Sequence, residues 1–312
     1  MNKIHLVSLA FIVVTLLFFS CTERDESTSG QRLYSISLEL KKDVEILPFS
    51  GTKSIPTYIP SEPQAIEKQE SAPLFSRLEY IVYHKESGAL VKSQSFTEEN
   101  SDDFGVYVYD ELEAGTYLIA LLAHSASGMT LSGNQAAFSE VTDSFHAIKE
   151  VTVGPESEEN TVEIILKRLV ARVEFAGTKA IPDDASKFVL EIEEQYHTTN
   201  LKDAEAATVR ALKKEYLLSG GVSPGEAFVY SFYTFVPEPL QGDTSYLSGV
   251  KLITLNQHED TLHTIRLTSV PVIKNRVTRY TGSLYASKTN SNTLELEIED
   301  YGHWKDTINV PF

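Results

Sequence analysis

The chain has 312 residues, with 44 acidic against 27 basic side chains and a formal net charge of -17. Such an excess of acid disfavours nucleic acid and anionic lipid as partners. Cys21 is the only cysteine, so no disulfide can form within the chain and stability has to come from buried apolar area.

Lys3 is the sole charge ahead of an apolar run from Ile4 to Phe19, broken only by His5, Ser8 and Thr15, and this layout predicts a signal peptide over residues 1–20. An uncleaved membrane span is the rival, since the run approaches the roughly 17–25 apolar residues that cross a bilayer. Cys21 directly after the small Ser20 favours cleavage there and acylation of the new terminus, although Phe18-Phe19 fits a lipobox loosely. Each buried acyl methylene contributes about 0.8 kcal/mol, so the expectation is a chain held in the outer membrane through Cys21. Removing residues 1–20 takes away Lys3 and no acid, which turns -17 into -18. Residues 21–31 (Cys21-Thr22-Glu23-Arg24-Asp25-Glu26, then Ser27-Thr28-Ser29-Gly30) read as a flexible tether. Their acidic start reads equally as a signal for export to the outer face or as a solvated leader.

Strand patterns follow. Tyr34, Ile36, Leu38 and Leu40 alternate with Ser35, Ser37 and Glu39, the period of a half-buried strand. Residues 41–76 lose that period and collect five prolines, which predicts a long loop. Strands are expected at Leu78–His84 and Ala89–Phe96 about a turn at Glu86-Ser87-Gly88, and again at Phe104–Tyr109 after the acidic tip Glu98–Asp103. Leu112–Tyr117 reads as a turn into Leu118–Ala123, which is apolar on both faces and therefore a central strand. Residues 125–146 have no clear period.

At Thr161–Phe175 the apolar face changes parity, from Val162, Ile164 and Leu166 to Leu169, Ala171, Val173 and Phe175. A straight strand cannot present both sets to one core. Either a bulge rotates it within one sandwich, or the chain leaves one interior at Lys167-Arg168 and enters a second. Length favours the latter, giving domains 32–167 and 168–312. Beyond it, Phe188–Ile192, Phe228–Phe232 and Leu294–Ile298 alternate, and Val250–Leu255 with Leu262–Leu267 predict a hairpin turning through Asn256–Asp260. Asn200–Tyr216 reads as one short helix, capped by Asn200 and stopped at Gly220-Gly221. The fold class is thus all-β, a tandem of sandwiches with a helix in the second.

Catalytic chemistry finds little support. Gly221-Val222-Ser223-Pro224-Gly225 matches a nucleophile elbow in letters, but a predicted helix precedes it and a strand follows, the reverse of the required order. His258-Glu259-Asp260 sits in a hairpin turn without a second histidine at ligand spacing. Glu98–Asp103 and Glu156–Glu159 read as solvated loop tips rather than calcium loops. No catalytic residue, metal ligand or cofactor site is expected. Fifteen tyrosines leave open a glycan-binding surface, or simply aromatic cores.

Three stretches carry a resemblance. Leu166-Lys167-Arg168-Leu169-Val170-Ala171-Arg172-Val173-Glu174-Phe175 resembles the interdomain joint of the fimbrillin-type superfamily. Val270–Tyr285, with Asn275, Thr278 and Gly282, resembles its late strand, and Leu112–Tyr117 its first-domain turn. With the lipobox and the closing Trp304 these span the chain. The resemblance implies two transthyretin-like Greek-key sandwiches, lipoprotein export and a role in a fimbria, with pilin or accessory subunits joined by strand donation. Polymerising pilins of this kind are trimmed by an arginine-specific protease after the first strand. Residues 41–76 contain no arginine, only Lys41, Lys42, Lys53 and Lys68, which points instead to the FimB-type anchor or accessory subunits related to FimA-type pilins. The tail Thr307–Phe312 alternates and suits either donation or closure of its own domain. A surface adhesin that binds glycans is the alternative function.

Overall fold

A computed structural model describes residues 32–42, 74–157, 161–218, 229–239, 244–285, 295–300 and 304–309. The signal peptide, Cys21 and the tether lie outside them, as do most of the loop 41–76, the Gly221–Gly225 motif and residues 310–312. In chain order the strands of the first half are β1 (Leu33–Lys42), β2 (Arg77–His84), β3 (Leu90–Phe96), β4 (Tyr107–Glu113), β5 (Gly115–His124), β6 (Met129–Ser132), β7 (Gln135–Phe138), β8 (Ser144–Val153) and β9 (Thr161–Arg168). The second half continues with β10 (Val170–Gly177), β11 (Ala185–Tyr196), β12 (Thr198–Asn200), β13 (Val209–Leu217), β14 (Val229–Phe235), β15 (Ser245–Leu247) and β16 (Val250–Asn256). It ends with β17 (Thr261–Leu267), β18 (Val270–Val272), β19 (Arg276–Gly282), β20 (Glu295–Asp300) and β21 (Trp304–Asn309).

The first half forms a seven-stranded sheet in the order β3-β2-β5-β8-β9-β1-β4. Only two residue pairs, Phe145 with Arg168 and His146 with Lys167, join β8 to β9. At that weak line the sheet turns over on itself, so that β3-β2-β5-β8 faces β9-β1-β4. Both layers feed one apolar cluster: Leu78, Tyr80, Ile119 and Leu121 from one, Ile36, Leu38, Val108, Leu112, Ile164 and Leu166 from the other. The two outermost strands meet at Asp110 of β4, which accepts hydrogen bonds from the Tyr80 hydroxyl at 2.8 Å and from the Lys92 ammonium of β3. The expected turn at Leu112–Tyr117 contracts to Ala114, the one residue between β4 and β5.

In the second half, β14-β10-β19-β20-β21 and β13-β11-β16-β17 enclose a cluster with Ala171, Val173, Phe175, Phe188, Leu190, Phe232, Leu252 and Tyr280. The predicted hairpin is β16 with β17. β21 pairs antiparallel with β20.

The helix expected over Asn200–Tyr216 is corrected by the structure. Asn200 heads a turn in which its Oδ1 accepts from the Lys202 amide at 3.0 Å, and Ala204 has φ 62°. A left-handed residue there stops any helix. Val209–Leu217 then alternates exposed and half-buried positions as β13, an edge strand on β11. Leu212 and Tyr216, four apart, share a face in a helix and in a strand alike, which is why periodicity misled.

Residues Tyr34–Phe312 form one compact unit. The parity change has a physical cause: Ile164 and Leu166 enter the first cluster, Ala171 and Val173 another, and Leu169 and Val170 a third. That third cluster also takes Ile81, Tyr83, Ala120 and Leu122 from the outer face of β2 and β5, with Phe138, Leu201, Phe235 and Val277. It explains why β5 is apolar on both faces. Residues 125–146, which had no period, supply β6 and β7, and β7 pairs antiparallel with β12, tying the two halves by backbone bonds.

Candidate functional site: the seam of the first strand

β1 is held on both sides. It pairs parallel with β9, Ser37 with Thr161 through Lys42 with Leu166, and its Leu40 amide donates to the Val106 carbonyl at 2.8 Å beside β4. Ile36, Leu38 and Leu40 are buried, and each such side chain contributes about 1.5–3 kcal/mol to its seating. Parallel pairs are slightly less stable per residue than antiparallel ones. Taking β1 away would leave unpaired backbone on β9 and β4 above an apolar trough, the geometry that another extended segment fills in strand addition.

A cavity of about 580 Å³ opens where β1 begins and β4 and β8 end. Ile36, Ala114, Val153, Gly154, Pro155 and Val162 give it an apolar lining, with Thr152 and Glu156 adding polar groups. A Cβ built on Gly154 meets nothing within 4 Å, so the space tolerates a larger side chain. The seam offers side-chain pockets and backbone partners.

Among the described residues no three His, Cys, Asp or Glu side chains converge to hold a metal ion. His258 and Asp260 belong to a turn in which Asn256 Oδ1 accepts both of their amides, and Glu259 pairs with Lys187 at 2.6 Å. One constellation that periodicity could not reveal joins Ser95, Glu79 and His124. The Ser95 hydroxyl donates to Glu79 Oε1 at 3.0 Å, and His124 Nε2 lies 3.5 Å from the same oxygen. His124 Nδ1 accepts the Ala126 amide at 3.1 Å. Hydroxyl and imidazole both face the carboxylate instead of each other, so the serine's partner is Glu79 and not the histidine.

Most tyrosines with a perturbed phenol are core residues. Burial pushes Tyr280 up to about 12, and Tyr80 is raised by burial, then by the charge of Asp110. Tyr230 is raised by burial and by its contact with Tyr285, the two hydroxyls lying 3.0 Å apart. Tyr109 and Tyr246 are the large aromatics left well exposed among the described residues.

Known proteins were then compared with this arrangement. No curated protein matches the chain. Among solved structures, a candidate adhesin from Bacteroides ovatus superposes with a TM-score of 0.53 at 12% identity, covering 89% of this chain and 96% of that one. A candidate polysaccharide-binding protein from Bacteroides thetaiotaomicron gives 0.52 at 12%, covering 88% and 98%. The fimbrial anchor protein Mfa2 from Porphyromonas gingivalis gives 0.46 at 11%, covering 86% and 98%. At such identities the first two establish likeness of fold alone. The family model of fimbrillin-A associated anchor proteins Mfa1 and Mfa2 matches residues 67–307, from the loop before β2 into β21. Because the matched region takes in β2 to β20 and reaches into β21, leaving β1 outside it, the chain belongs to the family of fimbrillin-A associated anchor proteins Mfa1 and Mfa2.

Proposed function

We propose that the protein is a non-enzymatic surface lipoprotein, held in the outer membrane through acylated Cys21, that serves a fimbria as its anchor or an accessory subunit. In this reading residues 32–167 and 168–312 are two sandwich domains. The first receives an extended segment of a pilin at the seam now occupied by β1. The family match supports the fimbrial role. The observation that carries the assembly step is β1 itself, an interior strand seated in the weaker, parallel sense beside an apolar cavity. An extended segment from another subunit seated in the same trough would keep its apolar positions filled and the backbone of β9 and β4 paired.

The experiment is affinity recovery of the full-length lipoprotein from cells under conditions that preserve fimbriae. Wild type is expected to bring down a ladder of fimbrial subunits. Recovery of the monomer alone would remove the fimbrial reading. Cys21→Ala should shift the chain out of the membrane fraction, and persistence there would indicate an uncleaved span. Gly154→Leu, which adds bulk at the cavity lining where a Cβ meets nothing within 4 Å, should thin the ladder while thermal stability holds. An unchanged ladder would move the docking site away from this seam.

A further inference from the structure

We infer that the outer face of the β9-β1-β4 layer is a binding platform for a neutral oligosaccharide, with Tyr109 as its stacking surface. The inference concerns the chain with β1 in place, where its inward side chains fill the seam and its outward ones line this face. Tyr107 and Tyr109, two residues apart on β4, point the same way. Their rings stack at 5.8 Å with an interplanar angle of 18°. Tyr109 remains 60% exposed, Val106 50%, and Ile165 on β9 46%. Lys41 of β1 lies between them, as the register partner of Ile165 and close enough to Tyr107 to feel its phenol. An exposed aromatic ring backed by a half-buried one, with an exposed isoleucine on the same face, forgoes burial that would stabilise a core, and such patches mark interaction sites.

The polar surround selects the ligand class. Glu39 pairs with Lys41 at 2.6 Å, Glu163 lies near the same ammonium, and Asp103 lies beside Tyr109. Carboxylates accept hydrogen bonds from hydroxyls and the ammonium donates them, while the ring takes an apolar face. A pyranose has this combination, with C–H groups on its flat side and hydroxyls around the rim. The acidic residues disfavour an anionic glycan, and they disfavour a second copy of a chain whose net charge is already -17. A donated strand engages a sheet edge through its backbone instead of the flat of the sheet. Adjacent strands are about 4.8 Å apart, so the row from Ile165 through Lys41 to Tyr107 has room for about two sugar rings.

The test is calorimetric titration of the mature protein with laminarihexaose, cellohexaose and mannohexaose as neutral probes, and polygalacturonate as the anionic one. At least one hexasaccharide should bind saturably. Tyr109→Ala, a change at an exposed site, should weaken it about tenfold or more. Tyr246→Ala, an equally exposed tyrosine on β15, should leave it unchanged. Absence of saturable binding by all three hexasaccharides, equal affinity in Tyr109→Ala, or preference for polygalacturonate would each overturn the assignment.

Discussion

Arg168 stands where the chain crosses from one apolar interior toward the next, and its side chain is fully buried. Its guanidinium forks onto Asp143, Nε to Oδ1 at 2.7 Å and Nη2 to Oδ2 at 2.9 Å, while Nη1 donates to Asn275 Oδ1 at 2.8 Å. The Phe145 ring lies beneath it at 4.9 Å. Burial raises the Asp143 pKa and Arg168 pulls it back, so each charge depends on the other. Arg168→Ala should cost about 3–5 kcal/mol in urea unfolding, because it strands a buried carboxylate. Arg168→Lys, which cannot fork, should fall between. A loss under about 1 kcal/mol for the alanine variant would mean water already serves Asp143. The sequence revealed the position through the parity change but not the partners, which lie 25 and 107 residues away. The sequence does not single out Asp110, because the expected strand ends at Tyr109 and it is the extension of β4 to Glu113 that places this carboxylate. It occupies an inward position between Val108 and Leu112, where a carboxylate must find donors.

At the scale of elements, alternation located most of the strands but not their directions or neighbours. β5 read as central because both faces are apolar, and the structure supplies a core on each side. β13 was misread since its half-buried positions are as polar as its exposed ones. The parallel seating of β1 left no trace in its own residues. Closure of the first sandwich is likewise a matter of elements, because Asp110 of the end strand β4 draws hydrogen bonds from Lys92 of the opposite end strand β3 and from Tyr80 of β2 beside it. Asp110→Ala leaves the buried Tyr80 hydroxyl without its acceptor, a cost of about 1–3 kcal/mol. Adding Tyr80→Phe should then cost little more, so a double-mutant cycle is expected to give a coupling of about 1 kcal/mol or greater. Strict additivity would show that the two edges do not hold each other.

For the whole molecule the question is how the two halves stay together, and the answer runs through histidines. His146 of β8 places Nε2 2.8 Å from the Leu201 carbonyl, so its neutral ring donates from Nε2. The charged groups that act on it are Asp203 and Lys274; those on His197, beside β12, include Arg210. Burial lowers the pKa of both rings, ahead of every other influence. A lowered pKa means that the unfolded chain takes up protons more readily than the folded one. Stability is therefore complete above the ordinary histidine value of about 6.5 and declines as pH falls below it. Glu193 and Glu215 are held below the usual carboxylate value by Lys251 and by Lys213 with Lys187, so their contribution is lost only under stronger acid. Over the interval from about pH 6.5 to 5 the histidines therefore weaken the fold as acid is added, while Asp143, raised by burial, acts in the opposite sense. Across it the urea midpoint should fall, and His146→Gln, whose amide can still donate to Leu201, should flatten that fall. His263 on β17 is also lowered by burial, so part of the slope should survive the substitution. Equal slopes in the variant and wild type would place the acid sensitivity elsewhere.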